Sequence, residues 1–195
     1  KRQAGYLLWQ AAKPITLFVK ILVMVIYQIF TRLFGNSNTT NKRHGSLVEN
    51  GCGKMGFYTP QVLKRIKELG VSHVWFTGVI RHATATDYSS YGIPRQHPAV
   101  VKGVAGSPYA ICDYYDIDPD LAENVENRMS EFENLVQRVH KAGMKVIIDF
   151  VPNHVHRQYE SVAAKPDYVK DLGAGDNQDW HFSPSNNFYY CWGQP

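Results

Sequence analysis

The run KVIIDFVPNH at residues 145–154 constrains the fold more than any other stretch of the chain. The apolar, β-branched positions ahead of Asp149 read as a strand covered on both faces, the habit of parallel sheets. Pro152 cannot donate to a sheet ladder, so the strand must stop before it. Asp149, Asn153 and His154 are thereby delivered outside the carboxyl end of a strand, where α/β enzymes keep their chemistry. The plainer alternative is that Asp149 caps the following loop while Asn153 and His154 satisfy loop backbone.

The chain upstream supplies the crossovers that a parallel sheet requires. A first strand is expected within residues 25–30, followed by a polar Gly- and Asn-rich loop. Thr59 and Pro60 form a helix start, a capping hydroxyl followed by proline at the first helical position. Val62, Ile66 and Leu69 recur at helical spacing, Gly70 ends the helix, and residues 71–77 form a second apolar strand. Ser130 to Glu133 reads as a capping box, with Phe132, Leu135, Val136 and Val139 making the buried stripe of a second helix that Gly143 closes. Strands alternating with helices predict a parallel sheet. Residues 78–120, rich in Gly, Pro, Ser and Tyr, are expected to be an ordered binding loop. Beyond His154 neither helical stripe nor strand alternation dominates, and the stretch reads as an excursion from the sheet.

With 44% hydrophobic and 19% charged residues in 195, the chain has ample material for one core. The formal charge of +4 comes from scattered basic residues, which gives nucleic-acid binding little support. Aromatics make up 13%, several in loop-like stretches, where flat apolar faces suit ligands such as sugars and equally the small cores built under long loops. Cys52, Cys112 and Cys191 lack Cys-x-x-Cys spacing, which argues against zinc ribbons and thioredoxin-type chemistry and leaves the redox compartment open. Residues 15–30 are nearly all apolar but carry Lys20 and Gln28, and the run is shorter than the roughly 20 residues of a membrane span. A membrane association is therefore not expected, and residues 1–24 are an apolar leader of unclear role.

Taken together, these segments resemble the α-amylase family of glycoside hydrolases, family 13. DFVPNH at 149–154 is similar to the first conserved region of that family. SPYAICDYYDIDP at 107–119 is similar to the segment leading from the loop of its second strand, YQIFTRLFGN at 27–36 to its first strand and loop, and WFTG at 75–78 to the end of its second strand. Four matches in the family's order weigh more than any one of them. The resemblance runs from about Tyr27 to Glu160. It implies an α/β fold, the N-terminal part of a (β/α)8 TIM barrel: residues 25–154 would form its first three β/α units. Residues 155–195 would begin the irregular domain B inserted after the third strand.

Carried over by position, the resemblance implies that Tyr109 stacks on the sugar beside the scissile bond and that His154 hydrogen-bonds the same sugar. Asp149 would be a supporting carboxylate, and Asn153 a ligand to a structural calcium where members have one; no organic cofactor is implied. The expected partner is an α-glucan or malto-oligosaccharide, and the expected location leans to secreted or periplasmic. The family's nucleophile and acid/base sit on later strands than any placed here and are expected after Pro195, so the 195 residues alone are expected to be inactive. Tyr109 and the acids have plainer counterparts, Tyr109 as packing, Asp113 and Asp118 as turn and cap residues; His154 followed by His156 hints at a zinc pair but lacks the second matching cluster that a zinc site needs. The competing functional class is a non-catalytic amylase-like ectodomain, such as the heavy chain of an amino-acid transporter. A nucleotide-binding domain would need a Gly-rich phosphate loop after the first strand, which is lacking.

Overall fold

The computed structural model describes residues 23–163. Residues 1–22 of the apolar leader, Cys191, residues 164–195 of the expected domain B and Pro195, after which the nucleophile and acid/base are expected, lie outside the described residues.

Three strands, β1 (Ile26–Phe30), β2 (His73–Thr77) and β5 (Lys145–Ile148), form a parallel sheet with β2 at its centre. The expected order and direction both hold. Registered partners in parallel strands share a face, so Gln28, Trp75 and Ile147 lie side by side, as do Ile29, Phe76 and Ile148. The second of these faces is the helix side. Val74 and Phe76 are fully buried there, in one core with Leu63 and Ile66 of α2 (Pro60–Glu68) and Leu135 and Val139 of α3 (Arg128–Lys141). Edge-to-face contact between Phe76 and Tyr58, with ring centroids 5.1 Å apart, extends this core under the loop after β1.

The start of α2 follows the sequence: Thr59 Oγ1 accepts from Val62 N at 3.3 Å and Pro60 takes the first turn. Its buried stripe is shifted, however. Leu63 and Ile66 are buried, whereas Leu69 at the helix end is 67% exposed. A larger correction concerns α3, because Ser130 to Glu133 is not a capping box. The helix begins at Arg128, directly after a 3-10 turn at Val125–Asn127, so its backbone enters already coiled. Ser130 Oγ donates back to Asn127 O at 2.9 Å, and the acid that collects orphan amides is Glu131, accepting from Glu123 N and Asn124 N at 2.9 and 2.8 Å.

Residues 78–120 are not simply a loop. They contain a second sheet in which β3 (Ile80–His82) pairs antiparallel with β4 (Ile111–Ile117) through shifted register. Strand alternation is hidden there because Arg81, His82, Asp113 and Asp116 are all buried, so polarity does not mark the solvent side. The short α1 (Leu47–Asn50) carries the capping box that the sequence offered elsewhere, with Ser46 and Glu49 satisfying each other's backbone amides.

Candidate active site

The carboxyl ends of the parallel strands are framed by the loops that leave them. Gly78, just past β2, has φ +75°, and a Cβ there would sit 3.0 Å from Pro108 Cβ and 3.2 Å from Phe30 Cε2. The turn carrying Tyr109 is therefore laid over the ends of β1 and β2, and only a glycine lets it come so close. Tyr109 itself is 48% exposed. Below it, Gln28 Nε2 donates to Thr77 Oγ1 at 3.0 Å on the inner face of the sheet.

Asp149 follows the last residue of β5 and is half-buried. The indole N–H of Trp75 donates to its Oδ1. Asp149 lies two residues beyond Ile147, the partner of Trp75, and so faces the same side. Asn153 and His154 are exposed in the turn that follows. The Tyr114 hydroxyl donates to the carbonyl of Val151 and lies 3.4 Å from that of His154. Burial raises the pKa of this phenol above its ordinary value. The rings of Tyr114 and Phe150 are 5.8 Å apart, bracing the same loop from the side. No hydrogen bond joins Tyr109, Asp149 and His154 to one another among the described residues; what they share is the carboxyl-end side of the sheet. The nucleophile and acid/base expected after Pro195 fall outside the described residues, and within these the carboxylate at the mouth of the parallel sheet is Asp149.

His156 behaves differently from His154. It is buried, Nδ1 accepts from Gln158 N at 3.2 Å, and Nε2 lies 2.9 Å from Val100 O. A ring that accepts at Nδ1 and faces a carbonyl at Nε2 carries its proton on Nε2, leaving no lone pair for a metal. The zinc-pair reading of His154 and His156 fails on this geometry. Among the described residues no group of three or more His, Cys, Asp or Glu could hold a metal ion. Asn153 offers one exposed amide oxygen, against the six to eight oxygens that calcium takes.

Behind the loop lies a buried ionic network. Arg81 NH2 donates to Asp113 Oδ2 at 3.3 Å, whereas its Nε, 3.2 Å from Asp116 Oδ2, is charge-paired without hydrogen-bond alignment. Arg128 grips Asp116 through both oxygens at 2.7 and 3.0 Å. Further along, Arg32 and the Tyr88 hydroxyl both bind Asp120, and His82 Nδ1 is 3.1 Å from Asp118 Oδ2. Burial, reinforced by the neighbouring Asp120, raises the pKa of Asp118, although His82 pulls the other way. Asp118 Oδ1 also accepts from Asp120 N at 3.0 Å, and Asp113 Oδ1 from Tyr115 N at 2.9 Å. The turn and cap roles expected of these acids are thus present, with charge pairing added. A cavity of about 350 Å³ opens between the loops after β1 and β3, lined by Arg43, His44, Asn50 and Lys102, but Tyr109, Asp149 and His154 do not line it.

Trp75, Tyr114 and Arg81 are the contributors that sequence reasoning missed. Period-two alternation could have placed Trp75 on the inner face opposite the buried Val74 and Phe76. Nothing local marks Tyr114 or Arg81, whose partners are distant in sequence.

Comparison with known proteins decides the membership of this arrangement. Residues 28–194 match the alpha-amylase family, described as alpha amylase, catalytic domain. The chain belongs to the alpha-amylase family. Among its curated relatives, a cyclomaltodextrin glucanotransferase of Bacillus licheniformis is 26% identical over 176 residues, 85% of this chain and 22% of the relative. An alpha-glucosidase of Culex pipiens is 26% identical over 165 residues, 79% of this chain and 22% of the relative. The chain thus spans about a fifth of the length of either relative. Among solved structures, an alpha-amylase from Lactobacillus plantarum is 29% identical with a TM-score of 0.48, covering 71% of this chain and 24% of that one.

Proposed function

We propose that this alpha-amylase-family chain supplies the first three β/α units of a (β/α)8 barrel that cleaves or transfers α-linked glucans with retention of configuration. The observation carrying the proposal is Asp149, held by Trp75 at the carboxyl end of a parallel strand with His154 in the turn that follows. In this reading Tyr109 is the exposed aromatic platform for the sugar ring beside the scissile bond, and His154 donates to a hydroxyl of that sugar. Asp149 organises the inner face without attacking carbon. Asn153 lends its carbonyl oxygen to a structural calcium whose other ligands come from outside the described residues, and residues 155–195 open domain B.

Retention requires a nucleophilic carboxylate and a proton-donating one about 5–5.5 Å apart across the glycosidic bond. By the resemblance, both come from later strands, after Pro195, so residues 1–195 contribute substrate binding and the bond is broken by the complete barrel. Water or a second sugar hydroxyl can then accept the glycosyl group. The relatives include both an alpha-glucosidase and glucanotransferases.

The test is the protein carrying this sequence with a complete barrel, assayed on soluble starch and malto-oligosaccharides. Turnover is expected, and His154→Ala should lower kcat/KM about a hundredfold or more while leaving thermal stability nearly unchanged, since lost orientation at a reacting sugar has that scale. A complete protein inert on every α-glucoside tried would favour the non-catalytic ectodomain instead.

A further inference from the structure

Consecutive positions of β4 hold the chain that leaves the sheet mouth. Ile111 O accepts from His156 N at 2.8 Å, and Cys112 O from Glu160 N at 3.0 Å. Asp113 Oδ2 accepts from Val162 N and Ala163 N at 2.8 and 3.2 Å, while Arg81 NH2 donates to Glu160 O. The next residue, Tyr114, sends its hydroxyl to Val151 O and toward His154 O. His154 is thus held on one side by Tyr114 and on the other, two residues on, by the amide of His156. Its own side chain is exposed, so its aim is set by the backbone beneath it.

We propose that Tyr114 is a positioning residue for His154: its hydroxyl pins the turn at residues 151–154 and so fixes where the imidazole points relative to the sheet mouth. Two features distinguish this from ordinary packing. Both carbonyls contacted belong to the turn that carries the imidazole, and Tyr114 packs its ring against Phe150 and Tyr159, at 5.8 and 5.9 Å, so the hydroxyl has little freedom to aim elsewhere. The buried chain of bonds through Ile111, Cys112 and Asp113 anchors the turn's downstream end independently of Tyr114. Removing the hydroxyl should therefore loosen residues 151–154 and leave residues 156–163 docked.

The proposal rests on the glucan reading only for its kinetic consequence. Tyr114→Phe keeps the ring and deletes the donor. In the complete protein it should lower kcat/KM on malto-oligosaccharides about tenfold, as a displaced binding group does. It should add almost nothing in a His154→Ala background, because the residue it positions is gone. Limited chymotryptic digestion followed by mass spectrometry gives a readout free of any assumed activity. Cleavage after Phe150 should be faster in Tyr114→Phe, with cleavage after Tyr159 and within the parallel strands unchanged. Unaltered cleavage after Phe150 would overturn the positioning role whatever the activity. Faster cleavage together with equal, additive kinetic losses in both backgrounds would show that the turn moves without directing His154. Faster cleavage in a protein inert on all glucans would retain the pinning of the turn and count against the glucan reading alone.

Discussion

Trp75 reaches diagonally across the β2–β5 pairing and donates its indole N–H to Asp149, two residues beyond its own registered partner Ile147. Parallel pairing puts the two side chains on one face, and the length of the indole spans the step between them. The bond ties the central strand to the carboxylate at the mouth of its neighbour. Trp75→Phe keeps an aromatic ring and leaves that half-buried oxygen without its donor. It should cost about 1–3 kcal/mol of stability, read from the midpoint of urea unfolding by circular dichroism. An unchanged midpoint would mean that water replaces the indole without loss.

The ionic network behind the loop separates buried from exposed charge. Arg81 is 2% exposed between Asp113 and Asp116, whereas the Arg95–Asp87 pair has side chains 69% and 46% exposed. Arg81→Met strands buried carboxylates and should destabilise the fold by about 3–5 kcal/mol. Arg95→Met should cost under about 1 kcal/mol. Equal unfolding midpoints for the two variants would refute the contrast.

Glu49 predicts a pH dependence whose sign is definite. Its hydrogen bond with Lys42, then those with Ser46, lower its pKa from 4.5 to about 2. The folded state holds the ionised carboxylate more tightly than the unfolded chain does, so this contribution is complete above pH 4.5 and fades as pH falls towards about 2. The Tm of Glu49→Gln should therefore lie below that of the parent at neutral pH, and the gap should narrow on acidification. A gap that widened in acid would reverse the assignment.

Burial pushes the Cys52 thiol up to about 11 and the Cys112 thiol up to about 12. The thiolate is the reactive species, so both should label slowly with iodoacetamide at neutral pH in the folded protein and quickly in denaturant. Peptide mapping of the alkylated sites checks each one separately. Rapid labelling of Cys112 in the folded protein would show that β4 opens.

The parallel sheet was legible because its signals are local. Apolar runs ending at Thr77 and Asp149, and helices opened at Thr59–Pro60 or closed at Gly143, need only neighbouring residues to be read. The pairing of β3 with β4 was not legible. Its strands bury Arg81, His82, Asp113 and Asp116, and a pattern reader takes such residues for a solvated loop until their partners are known. The misplaced capping box has a similar origin: Ser130 and Glu133 have the right spacing, but the 3-10 turn at Val125–Asn127 had already begun the coil.

At the site, the sequence alone determined which chemical groups arrive beyond the end of β5 and in what order, because the spacing from Asp149 to His154 is a covalent fact. It also carried family membership, spread over motifs that no single residue supplies. Only the tertiary structure decided which groups those side chains meet. The indole on Asp149, the phenol beneath His154 and the carbonyl that closes His156 to metals come from residues 74, 40 and 56 positions away. Hydrogen bonds and buried charge pairs depend on distance in space, and the chain brings those partners together only when its two sheets have formed.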